Sequence, residues 1–496
     1  MESRLDSRRA IRLHPPAGSL YVSAPSSVPF TPPSDPALFC EPGPQRAPRL
    51  RVDPALLSRY DVPGPRYTSY PAVPDWTGAF DEAAWRGHLG SLSKSDAPLA
   101  LYLHLPFCAS RCLYCGCNAT VTTRSEIVDR YLNRLERELA ILGEAIGARP
   151  RVAEMHWGGG TPNFLNGEQL DRLVEMLQVP FRIDARTECS IEADPRLVTQ
   201  EQLVHLRQLG FSRISFGVQD LDPGVQEAIG RVQPTSMVRD VVHGARSAGF
   251  GGINVDLIYG LPFQTNSTFL ETVRETIDLS PDRIACFGYA HVPWMRPHQR
   301  RMDESAMPAA RERFALFRAA VERFQDAGYR WIGLDHFAKP EDPLALAADA
   351  GRLHRNFMGY TTRTGEHLLG VGVSAISEID GWYVQNAPEL GGWQRDIDEG
   401  RLSLARRHVL TEDDQARGRA VSHLMCNAEL PFDLFVGDVP TLTDRFEQFA
   451  EDGLVEFETD RVVVTPLGQF FLRNMCFALD AYRGAGDRAE RFSRAV

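Results

Sequence analysis

The sequence predicts an α/β fold of parallel βαβ units, ending in a small, mostly helical, winged-helix-like domain. Two observations carry this. Between about residues 98 and 292, short apolar runs alternate with longer stretches whose apolar residues recur every three or four positions. From about residue 401 the order changes to helix, helix, hairpin and helix. The six strand–helix units of the first region read equally as an incomplete (β/α) barrel or as a doubly wound sheet. Both architectures put chemistry at the C-terminal ends of the strands.

The elements follow in order. Residues 1–48, with runs such as PSSVPFTPPSDP and EPGPQRAP, are too rich in Pro, Ser and Arg to bury a core and read as a flexible tail. Strands are expected at LALYLHL (99–105), AEMHWGG (153–159), ECSIEAD (188–194), SRISFGV (212–218), GINVDLIYG (252–260) and RIACFGYA (283–290). Helical periodicity lies between them, as in EIVDRYLNRLERELAILGEAI and MVRDVVHGARSAG, the latter ending in a glycine able to cap it. ARERFALFRAAVERFQDAG (310–328) reads as a further helix and YRWIGLDHF (329–337) as one strand. In the last unit, helices are expected at EDDQARGRAVSHLMC and LTDRFEQFAEDG, then a hairpin at LVEFETDRVVVTPLG. A winged helix often reads DNA. Here its candidate recognition helix carries Asp444, Glu447, Glu451 and Asp452 against Arg445, so phosphate would be repelled and no nucleic acid partner is expected.

Composition narrows the class. With 43% hydrophobic and 24% charged residues over 496 positions, the chain is neither fibrous nor wholly disordered. Its net charge of −11 excludes a polyanion binder that relies on global charge, so any anionic substrate needs a local Arg/Lys cluster. No apolar run approaches the ~18 residues of a membrane span, and the N-terminus lacks the apolar core of a secretory signal. A cytoplasmic protein without membrane attachment is expected.

The cysteines are the most informative residues. Of nine, Cys108, Cys112, Cys115 and Cys117 fall in one short segment, HLPFCASRCLYCGCNATVT, directly after the first strand. The spacing C-x3-C-x2-C lets three thiolates hold three irons of a cubane cluster and leaves the fourth iron open. A ferredoxin closes its cluster with four cysteines. Cys117 lies too near Cys115 to serve a neighbouring corner. A structural zinc site would favour two separated ligand pairs, and no second pair is present. A redox C-x2-C of Cys112 and Cys115 would leave Cys108 and Cys117 unexplained.

C-x3-C-x2-C after the first strand of a βα barrel resembles the radical S-adenosylmethionine (SAM) superfamily. PRYTSYP (65–71), YLHLPFC, CGCN, HWGGGTP, SIEADP, SFGVQD, NVDLIYGLP, GLDHFAKP, LHRNFMGYTT and GVSAIS resemble, in order, the oxygen-independent coproporphyrinogen III oxidase family. The resemblance implies a partial (β/α)6 radical SAM barrel with its extension over 98–400, a substrate-covering segment over 49–97 and a C-terminal helical domain over 401–496. It implies a [4Fe–4S] cluster held by Cys108, Cys112 and Cys115, with SAM chelating the open iron and contacted by Tyr102 and Tyr114. HWGGGTP has neither the GK[ST] of a phosphate loop nor a dinucleotide G-x-G-x-x-G. Its glycines let backbone approach a ligand, and by resemblance Gly159, Gly160 and Thr161 bind SAM.

Glu192, at the end of the third strand, is implied to meet the SAM ribose or ammonium. Gln219, Arg231 and Asp256 match positions assigned to a second SAM, and Ala290 and Ile376 match packing contacts to the two molecules. Cys117, beside the open iron, is the candidate for a part in the radical chemistry. Arg66–Tyr67 and His354–Arg355 could hold substrate carboxylates or form structural ion pairs. The run VPWMRPHQRR after His291 departs from the family in being unusually basic. The implied reaction converts two propionates of coproporphyrinogen III to vinyl groups; a flavodoxin- or ferredoxin-like donor supplies the electron that cleaves SAM, and a separate acceptor takes the last electron from the substrate. A monomer is implied. The rival reading is a heme chaperone that binds tetrapyrrole without decarboxylating it; CGC at 115–117 and PRYTSYP favour the enzyme.

Overall fold

In the computed structural model, the described residues are 53–483, apart from 77, 79, 80, 364 and 366, together with 492–494. The segment read as a tail, and Cys40 within it, lie outside them. The chain divides into two units, of which the second, Arg51–Val496, is compact.

The second unit is organised by one twelve-stranded sheet. The six expected strands form as β1 (Leu99–Leu105), β2 (Val152–Gly159), β3 (Glu188–Ala193), β4 (Phe211–Gln219), β5 (Gly252–Tyr259) and β6 (Arg283–Gly288). They pair in parallel in sequence order, as right-handed βαβ crossovers require. The run at 329–337 is not one strand. It splits into β7 (Arg330–Gly333) and β8 (His336–Ala338), because Leu334 takes φ 42° and reverses the chain, its carbonyl accepting from Trp331 Nε1 at 2.9 Å. Four further strands complete the sheet: β9 (His367–Val371), β10 (Ile376–Ile379), β11 (Trp382–Asn386) and β12 (Leu404–Val409).

The spatial order is β12-β11-β10-β9-β1-β2-β3-β4-β5-β6-β8-β7. Only β9 adds in parallel beside β1, so seven strands run parallel at the centre and antiparallel pairs finish both sides. The sheet does not close on itself, which is the partial barrel. Its outer face is covered by helices such as Ser125–Ile146, which buries Val128, Leu132, Leu135, Leu139, Leu142 and Ile146 at three- and four-residue spacing. Each such side chain contributes roughly 1.5–3 kcal/mol.

The C-terminal module has helices Glu412–Asn427, Val439–Glu451 and Leu472–Leu479 around a three-stranded sheet of Glu429–Pro431, Val455–Phe457 and Arg461–Val464. It shares one apolar core with the segment before β1: Tyr60, Tyr67 and Tyr70 are buried among Phe446, Phe449, Phe471 and Phe477. Asn474 Nδ2 donates to the Tyr60 carbonyl at 2.8 Å, and Tyr60 stacks on Phe449 at 5.4 Å. PRYTSYP is thereby fastened by the far end of the chain. No helix among the described residues is long and apolar enough to cross a membrane.

Tyr60→Ala removes this stacking and the bond to Asp452. Urea unfolding is expected to show a loss of about 3 kcal/mol; a change below about 0.5 kcal/mol would mean that the shared core does not hold the segment.

Candidate active site

The loop after β1 is clasped at its base. Phe107–Cys108 pairs in parallel with Thr120–Val121, so the chain leaves and re-enters at the same place. Thr122 N donates to the Cys108 carbonyl at 3.0 Å, and Thr161 N, from the loop after β2, donates to Phe107 O at 2.8 Å. The tip is fixed separately, through Leu113 N on Ile229 O at 2.9 Å. All four clustered cysteines line a cleft of about 530 Å³ above the C-terminal edge of the sheet.

Successive strand ends supply the rest of that wall. The β2 end gives Gly159, Gly160 and Thr161, the β3 end Glu192 and Asp194, and the β4 end Gln219; β5 gives Asp256, and the segment after β6 gives Ala290. Tyr114 and Arg231 also line it. Two expected residues do not. The Tyr102 hydroxyl lies 3.1 Å from His104 Nδ1, its ring stacks with His156, and the Glu192 charge acts on it. Ile376 opens β10, opposite Gln385, with its backbone against Gly370, the partner of Tyr102 across β1 and β9.

The glycines also meet protein closely. A Cβ on Gly158 would lie 2.9 Å from Glu192 Oε1, one on Gly159 (φ 112°) 2.6 Å from the His104 ring, and one on Gly160 2.7 Å from Phe107 O. They let the β2 loop lie against the cysteine loop and the Glu192 carboxylate.

Charge is concentrated at one thiol. Arg231 Nη1 and Arg196 Nη2 approach Cys112 Sγ at 3.5 and 3.7 Å, and both guanidiniums pair with Asp194, at 3.1 and 2.6 Å. Burial raises the Asp194 carboxyl, but the two arginines outweigh it and hold the group below the usual range. The Nε of Arg231 is buried without a hydrogen-bond partner among the described residues. Asp194 and Arg196 escape sequence reasoning because only the fold brings them to Cys112. Burial drives the Cys108 thiol up, against a 3.3 Å contact to Thr161 Oγ1. Cys117 is exposed, and hydrogen bonding from it to Cys115 pulls the Cys115 thiol down and pushes its own up.

Glu192 accepts from Gly159 N at 3.1 Å and faces His156 Nε2 at 3.4 Å; burial raises its carboxyl, and these contacts more than offset that. Asp256 is pushed up to about 6 by burial and by the Glu192 charge, although it accepts from Asn254 and Ser215.

A second cavity of about 640 Å³ adjoins the cleft, shares Arg66, Gly288 and Tyr289 with it, and is lined by Arg313 and Arg473. Arg66 pairs with Asp335 at 3.3 Å and donates to Gly288 O at 3.0 Å. Arg355 instead donates to the carbonyls of Arg66 and Tyr67, at 2.7 and 3.0 Å, and so positions PRYTSYP. Tyr67 turns away to Asp480, and His354 lines a separate cavity. Of the two expected pairs, only Arg66 reaches the cleft.

The donor set fits an iron–sulfur cluster: three thiols on one clasped loop, with two guanidiniums beside one of them.

The radical SAM superfamily domain matches residues 102–276, which places the chain in a class of enzymes that use a [4Fe–4S] cluster and SAM. Oxygen-independent coproporphyrinogen III oxidase from Synechocystis sp. is 38% identical over 461 residues, covering 90% of this chain and 99% of that one. The enzyme of the same name from Escherichia coli is 39% identical over 457 residues, covering 90% and 98%. The solved structure of coproporphyrinogen III oxidase (HemN) from Escherichia coli, described as a radical SAM enzyme, superposes with a TM-score of 0.80 at 37% identity, covering 88% of this chain and all of that one. The chain belongs to the oxygen-independent coproporphyrinogen III oxidase family.

Gly160→Ala forces a Cβ into the backbone that carries Cys108. A loss of about 1–3 kcal/mol is expected in denaturant unfolding; unchanged stability would show that the two loops are not in register-fixing contact.

Proposed function

We propose that this chain carries out the oxygen-independent oxidative decarboxylation of two propionate side chains of coproporphyrinogen III, giving the vinyl groups of protoporphyrinogen IX. The observation that carries the reading is the clasped C-x3-C-x2-C loop at the C-terminal edge of a radical SAM barrel, in a chain that matches named oxidases over nearly their whole length. When bound, a [4Fe–4S] cluster with one open iron supplies the electron that splits SAM into methionine and a 5′-deoxyadenosyl radical.

The chain's own residues do the rest. Cys108, Cys112 and Cys115 are the proposed cluster ligands, and the Arg231–Asp194–Arg196 group stabilises the thiolate of Cys112 by charge-assisted contact. Tyr114, Gly159, Gly160 and Thr161 border the space for SAM, with Glu192 as its carboxylate contact and Tyr102, within reach of the Glu192 charge, as a further contact. Gln219, Arg231 and Asp256, which line the same cleft, are the contacts for a second SAM or the reacting propionate. Ala290 and Ile376 supply packing contacts to the two molecules. Cys117, exposed beside Cys115, is the proposed participant in the radical chemistry.

Loss of a β-hydrogen atom to the 5′-deoxyadenosyl radical, of CO2, and of one further electron to an electron acceptor converts each propionate to a vinyl group. Arg66 and the adjoining cavity with Arg313 and Arg473 supply a local cationic region in a chain of net charge −11. That is the local cluster an anionic tetrapyrrole requires. We further propose a monomer in the cytoplasm, fed by a flavodoxin- or ferredoxin-like donor, with no nucleic acid partner.

Anaerobically prepared protein is expected to hold about four irons per chain and, with SAM, a reductant and coproporphyrinogen III, to form vinyl product. Tetrapyrrole binding without vinyl product would reject the reading. Cys112→Ser is expected to lose both the iron and 5′-deoxyadenosine formation; retention of either contradicts the ligand assignment.

A further inference from the structure

We propose that the basic lobe at residues 292–301 is the docking surface for a small, acidic one-electron carrier protein. The proposal rests on the function above and adds where the electron enters. The lobe leaves the sheet after β6 and turns through the short helical segment Pro297–Arg301. Three of its side chains bond directly to the backbone of the cysteine loop. Arg296 Nε donates to Gly116 O at 3.0 Å, Gln299 Nε2 to Tyr114 O at 2.9 Å, and His298 Nε2 to Cys115 O at 2.7 Å. A protein seated on the lobe is therefore one side chain removed from the loop that carries the thiols.

The lobe has the composition of an interface. Met295 is 56% exposed, Trp294, at the edge of the cavity with Arg313 and Arg473, is 53% exposed, and Arg300 and Arg301 are exposed on the same lobe. Arg111, exposed on the cysteine loop itself, adds to the same sign. The nearest acids are already engaged: Glu304 pairs with His291 at 2.9 Å, and Asp303 accepts from Ser305. An apolar aromatic centre with a cationic rim suits a protein partner. Because the chain as a whole carries −11, an acidic carrier meets repulsion over most of the surface and attraction here, which steers association. In the step itself one electron passes from the reduced carrier to the chain; the carrier is oxidised by one electron and no bond is made or broken.

The test is binding, read without turnover. The Kd of an acidic flavodoxin for the full chain is measured by calorimetry at low and at moderate salt, in the parent and in Arg300→Glu/Arg301→Glu. The double variant is expected to bind about tenfold more weakly with a flatter salt dependence, and Arg300→Lys/Arg301→Lys to bind like the parent. SAM cleavage driven by dithionite is expected to be unchanged in the charge-reversed variant. Unchanged affinity on charge reversal, absence of binding by the parent, or an equal loss of dithionite-driven cleavage overturns the lobe assignment. Absence of dithionite-driven cleavage in the parent would instead refute the enzymatic reading itself.

Discussion

The clasp that joins Phe107–Cys108 to Thr120–Val121 is the constraint on which the site depends. A loop of this length with free ends would sample many arrangements of its thiols. Closed at its base, pinned at its tip by Ile229 and backed by the β2 glycines, it holds the cysteines of one segment at a single cleft. Cys117, the next thiol along, donates its backbone N–H to Cys115 Sγ at 3.4 Å.

Around that loop the chain places charge sparingly. Asp194 gathers Arg196 and Arg231, and the pair of cations faces Cys112, so one buried carboxylate positions two donors toward one sulfur. Removing one member of such a buried group leaves the others uncompensated. Farther out, Arg66 joins the cleft to a second cationic cavity, and the segment carrying it is held by Arg355 and by the C-terminal module. The two ends of the second unit therefore meet at the mouth of the site.

Much of this was legible in the sequence. The six barrel strands are apolar runs bounded by helices of clear periodicity, and their ends fall within a residue or two of the expected ones. The cysteine loop was legible because spacing alone limits what three thiolates can bind. What escaped was set by long-range packing. The hairpin at 330–338 turns on one residue with positive φ, which an apolar run does not reveal. Strands β9–β12 are short and mostly antiparallel, and no periodicity separates them from loops. Asp194 and Arg196 gain their meaning only when β3 is set beside the cysteine loop. The basic run after His291 was visible, whereas its three bonds to the cysteine loop were not.

Whether three thiolates leave one iron for a small molecule is decided by electron–nuclear double resonance on the reduced, anaerobic protein, with SAM labelled by nitrogen-15 at its amine and oxygen-17 at its carboxylate. Hyperfine coupling from both labels to a single iron of the cluster is expected. A cluster signal unaffected by labelled SAM, with protein nitrogen, oxygen or sulfur at every corner, would contradict an open iron.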